Sequence, residues 1–195
     1  LFGSLYYINL ERWLIYRMSA SNVFFLVNLV GGIAVLGGYA YYLAVNPEHR
    51  EYLWGNVPVG WQPYIVASMF VAAVGYLWFS AYILFSSGNL ITPVQGLFDI
   101  KIIIALVALF LLMASLWIPL TMNMIVSHDE TRWFSVQFVL WGAAIASILI
   151  TVCVITSTNV ENPLQHWLAV AGIGYLTFHC TVLDAILWVS KFSLP

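Results

Sequence analysis

The chain has 195 residues, 63% of them hydrophobic and 7% charged, with a mean hydropathy of +0.94. Soluble domains carry about 25% charged residues, so this balance excludes a soluble globular domain and defines an integral membrane protein. A formal net charge of -2, with six Lys and Arg scattered singly, leaves no basic track for phosphates and excludes nucleic-acid binding.

Uncharged runs cover 18–47, 52–98, 102–128, 133–160 and 162–183, and each can hold a spanning helix of about 20 residues. The second run contains one span, because Trp54 to Pro63 and Ser86 to Gly96 are rich in Gly, Pro, Ser and Asn. The expected fold is all-α: an integral membrane bundle of five transmembrane helices with an N-terminal interfacial helix. Residues 1–18 form the interfacial segment and 19–195 a single transmembrane domain, with spans about 21–45, 62–86, 100–125, 133–157 and 164–190. Five crossings put the termini on opposite sides. Arg12, Arg17 and Lys101 then face one side and Arg50, Arg132 and Lys191 the other, so the positive-inside rule gives a tie. The sequence does not choose between an organellar and a bacterial inner membrane.

LFGSLYYINLERWLIYR, residues 1–17, has too little uninterrupted apolar length to span and suits the membrane surface. Ser19 or Ser21 is placed to cap the first span. In that span Gly31 and Gly38 lie seven residues apart on one face, where small residues permit close helix approach. Asn28 is its one amide, suited to an interhelical hydrogen bond. Loop 46–61 holds His49, Glu48 and Glu51 at a spacing that matches no standard metal site, and Trp54, Trp61 and Tyr64 read as interface anchors. The second span is aromatic along much of its length, with Tyr76, Trp78, Phe79 and Tyr82.

Asp99 opens the third span, where a carboxylate suits the helix dipole. Late in that span Pro119 removes a backbone donor, which kinks the helix and frees a carbonyl. Asp129 and Glu130 open the fourth span beside a solvated His128, and its pairs Gly142/Ala146 and Ala143/Ser147 make a packing face. His166 and Trp167 begin the fifth span at interface level. Cys153 and Cys180 fall at depths too different for a disulfide.

FHCTVLDAILW, residues 178–188, places two ionisable groups deep in the last apolar run. Centred near Phe178, that run leaves Asp184 roughly 9 Å from the bilayer midplane at about 1.5 Å per residue. Ionisable side chains at such depth face a bundle interior, a cavity or a partner. At about 100° per residue the two fall on different faces: Asp184 with Thr177, Cys180, Thr181 and Trp188, and His179 with Gly172, Tyr175, Val182 and Ile186. They are therefore not a prebuilt dyad. Each has a purely structural alternative as a buried polar group bonded to a neighbour.

No phosphate-loop, zinc-hydrolase, CxxC or nucleophile-elbow pattern occurs, and the interior acid and imidazole lack a second catalytic group. The chain is read as a non-enzyme, and no cofactor is indicated by its residues.

Five helices in a short, Trp-rich chain resemble the translocator protein family, also called tryptophan-rich sensory proteins, over roughly residues 54–190. Pro58, Trp61 and Pro63 in PVGWQP are similar to that family's Pro-x-Trp-x-Pro loop, with one extra residue. Trp117 and Pro119 stand where the family has a Trp-Pro pair, the run from Gly142 to Ala146 is similar to its fourth helix, and Leu183, Asp184 and Trp188 resemble its Leu-Asn…Trp ending, with Asp184 in place of the asparagine. The family's Gly-Pro-x-Trp in helix two and its Gln and Asn in helix three have no counterpart. The resemblance implies a five-helix bundle with an aromatic cavity for a tetrapyrrole or sterol-like ligand.

Two functions are therefore expected of the chain. The first is binding or transport of a flat hydrophobic ligand in an intramembrane cavity lined by Trp78, Trp117, Trp141, His179 and Asp184. The second is a non-catalytic accessory subunit of a larger membrane complex, respiratory or photosynthetic, packed against other subunits, lipids or pigments.

Overall fold

A computed structural model describes the backbone of residues 2–192 and the side chains of residues 20–192 apart from Ser87. Among these residues the chain is helical throughout its long segments and has no strand, only an isolated bridge between Thr92 and Thr158. The helices are α1 (Phe2–Val45), α2 (Gln62–Phe85), α3 (Lys101–Ser127), α4 (Trp133–Ile155) and α5 (Pro163–Lys191). Five helices, α1 from Ala20 onward and each of the others, are long and apolar enough to cross a membrane. The fold is thus the five-helix, all-α membrane bundle that the uncharged runs imply.

α1 packs on α3, α3 on α4, α4 on α5 and α5 on α2. α2 closes the ring onto α1 through Phe24 and Phe79, both fully buried, with rings 6.2 Å apart and edge to face. Hydrogen bonds tie the connections at alternate ends, as five crossings require. At one end Asn56 N–H donates to Lys191 O (2.8 Å), so the loop after α1 docks on the end of α5. At the other, Thr92 and Thr158 exchange backbone bonds of 3.1 and 3.0 Å, joining the α2–α3 and α4–α5 connections.

Small residues set the helix spacing, since lipid is as apolar as the side chains and gives helices no hydrophobic reason to associate. A Cβ on Gly31 would fall 2.6 Å from Leu111 Cδ1, and one on Gly38 would fall 3.3 Å from Ile118 Cγ2. The two contacts lie seven residues apart on both helices, so α1 and α3 run parallel in one register. Gly38 also sits beside Ser115 O, the carbonyl whose helical donor Pro119 cannot supply. α3 continues as helix through Pro119. The closest approach is between Gly75 of α2 and Gly172 of α5, where a Cβ on Gly75 would lie 2.5 Å from Gly172 O. Gly142 meets Met113 on α3.

One expectation near the start of the chain is corrected. α1 is unbroken from Phe2 to Val45, so neither Ser19 nor Ser21 caps a helix start; Ser21 Oγ instead accepts a hydrogen bond from Asn89 Nδ2 (3.2 Å). The side chains expected at the membrane surface, residues 1–18, lie outside the described residues. His166, in the first turn of α5, is buried against protein, with Nδ1 3.1 Å from Tyr82 Oη. Ahead of it Asn162 caps the helix by accepting from Gln165 N–H, followed by Pro163. Asp99 does cap α3, accepting from Lys101 N–H at 2.7 Å.

Candidate functional site

α5 is not one regular helix. From His179 to Trp188 it winds as a π-helix, ten residues long, where such geometry normally appears as a single turn and often at functional sites. Bonds of the i→i+5 kind widen the coil and bring positions five apart onto one side. The expectation that His179 and Asp184 occupy separate faces therefore fails: it assumed about 100° per residue throughout. His179 Nε2 lies 3.6 Å from Asp184 Oδ1, an ion-pair distance and longer than a hydrogen bond.

The imidazole is buried, and its other nitrogen is held from α2: Ser68 Oγ is 2.9 Å from His179 Nδ1. Tyr175, one turn before His179, donates its phenol proton to Ser68 Oγ at 3.1 Å. Tyr175, Ser68, His179 and Asp184, from two helices, thus form one row ending at the acid.

The Asp184 side chain is 35% accessible, and no described side chain donates a hydrogen bond to it. Beyond it the aromatic rings of four helices and the chain end meet. Tyr39 and Trp117 have centroids 5.6 Å apart, Trp117 and Trp188 5.6 Å, Trp133 and Trp188 5.8 Å, and Trp188 and Phe192 4.5 Å. Trp188 Nε1 donates to Leu53 O at 2.7 Å, closing this end with loop 46–61. Among the described residues three buried polar side-chain atoms have no protein partner: Trp117 Nε1, Thr121 Oγ1 and Thr181 Oγ1. Each costs about 1–3 kcal/mol if left unpaired.

Of the five residues expected to line one cavity, Trp117, His179 and Asp184 belong to this end of the interior. Trp78 and Trp141 stand on the outer surface, 50% and 41% exposed. Trp78 edges a groove of about 380 Å³ between α2 and α5, floored by Gly75, Ala171 and Gly172 and bordered by Tyr175. Ser68, Thr121 and Thr181 escape a reading by aromatic content and charge, although a hydroxyl inside an apolar run is the signal that marks them. Among the described residues no three His, Cys, Asp or Glu side chains converge on one point.

Fold and site together define a polytopic helical membrane protein with a polar interior at one end of its bundle. No family description, no curated protein and no solved structure matches the chain.

Proposed function

We infer that the protein binds or carries a flat hydrophobic ligand within the membrane, in the interior bounded by Trp117, His179 and Asp184. The observation that carries this reading is the partly accessible side chain of Asp184 in an apolar span, on a bundle that, among the described residues, has three buried hydroxyl or indole groups without a protein partner. Polar atoms without partners are costly, so a ligand that satisfies them stabilises the fold. The resemblance to the translocator family points to a tetrapyrrole or sterol-like body, and the rings of Tyr39, Trp117 and Trp188 suit a flat one.

The test is a density map of the detergent-purified protein. A flat non-protein feature between Trp117, His179 and Asp184, lost in Asp184→Ala, supports the reading; side chains closing that space with no such feature refute it.

A second reading, an accessory subunit of a larger complex, draws support from α1. Among its described residues only Ala20 and Phe24 are buried, leaving a long apolar face for lipid or another subunit. Migration on a native gel far above 21.9 kDa supports this alternative, and migration as a monomer or dimer removes it.

A further inference from the structure

The charge of the ligand follows from what surrounds Asp184. Away from the helix ends, Asp184 is the one acid in the five described spans, and those spans hold no Lys or Arg there: Lys101 and Lys191 stand at helix ends, and Arg50 and Arg132 in loops. His179 is committed to Ser68 at Nδ1 and approaches Asp184 only to 3.6 Å. It shields the acid without a hydrogen bond and leaves part of the carboxyl accessible. Trp188 follows Asp184 by four residues on α5, and from it the rings of Trp117 and Tyr39, on two further helices, follow with successive centroids 5.6 Å apart and interplanar angles of 77° and 35°. A lone carboxylate in a low-dielectric interior attracts a cation strongly, and tilted electron-rich rings add their quadrupoles to that attraction.

We propose that this interior recognises a lipophilic organic cation, an amine or onium group carried on a flat apolar body, with Asp184 as its counter-charge and Tyr39, Trp117 and Trp188 as its walls. The proposal rests on the reading of this interior as a ligand site and names the ligand's charge. An anionic ligand meets an acid and no Lys or Arg there. A neutral one brings the acid no counter-charge.

Three flat probes of different charge separate the cases: ethidium (cationic), dehydroergosterol (neutral) and protoporphyrin IX (anionic). Each is titrated into the purified protein in nanodiscs and followed by tryptophan quenching or energy transfer. Ethidium is expected to bind saturably. Asp184→Asn, nearly isosteric, should weaken it by roughly tenfold to a hundredfold, the loss of one charge-assisted contact, and Asp184→Glu should restore most of the affinity. Tyr39→Leu should weaken it roughly threefold, independently of whether the Asp184 variant folds. Equal ethidium affinity in the parent, Asp184→Asn and Tyr39→Leu overturns the proposal. So does binding of dehydroergosterol or protoporphyrin IX without ethidium, an outcome that leaves the ligand-site reading standing. Absence of binding by all three defeats both.

Discussion

His179 and Asp184 are five residues apart on one helix and yet meet, Nε2 to Oδ1 at 3.6 Å, because the helix between them is wound with i→i+5 bonds. Ser68 completes the arrangement from α2 by occupying the other imidazole nitrogen. Removing its hydroxyl leaves a buried ring nitrogen and the Tyr175 phenol without their partner, so Ser68→Ala should cost about 1–3 kcal/mol. Tyr175→Phe removes only the outer donor and should cost less, about 0.5–1.5 kcal/mol. Thermal melts of the detergent-solubilised variants check the order; equal loss for the two contradicts the row of hydrogen bonds.

The contact between Gly75 and Gly172 is backbone on backbone, and neither chain has a flexible end that can move aside. Gly172→Ala should therefore cost at least the 1–3 kcal/mol that overpacking typically costs. Gly37, with nothing near its Cβ position, faces outward. Gly37→Ala should be neutral or stabilise by up to about 1 kcal/mol through helix propensity. The pair of melting temperatures is the check, and a Gly172→Ala protein as stable as the parent would show that α2 and α5 are not this close.

Trp188 holds loop 46–61 through its indole N–H. Trp188→Phe keeps the ring in its aromatic cluster and loses about 1 kcal/mol with that one bond. The loop should then be cleaved faster by added protease at 50–56, with the helices left intact; an unchanged cleavage rate would mean that the Asn56 to Lys191 bond suffices alone.

How much of this was legible in the sequence depends on which physics each feature obeys. The five helices were legible because hydrocarbon excludes charge, and the uncharged runs mark the spans directly. Gly31 and Gly38 were legible as a packing face for a similar reason, since a missing side chain is visible in sequence and its register repeats at Leu111 and Ile118. Facing was not. In helices apolar all round, Trp78 and Trp141 look the same as Trp117, because lipid accepts an indole as readily as the interior does. Nor was the π-helix, since the usual periodicity was applied to α5, and its partner Ser68 lies 111 positions away.

Outside the membrane, the α3–α4 turn has its own pH response. The Thr131 hydroxyl, and next the Arg132 guanidinium at 2.9 Å, hold the Asp129 carboxyl below the usual carboxylate range. A carboxylate lowered in the fold stabilises it fully above the ordinary aspartate value of about 3.9 and loses that contribution as pH falls through the lower folded value. The Thr131 amide, which donates to Asp129, should thus titrate in NMR with a midpoint below that of a free aspartate. A midpoint at or above it would contradict the pairing.

Solid-state NMR on the protein in bilayers, labelled to read the separation of His179 Nε2 from the Asp184 carboxyl carbon, tests the π-wound turn most directly. The π-turn predicts a strong short-range coupling between the two groups. Absence of that coupling, with the two side chains on separate faces of a regular α-helix, would contradict it.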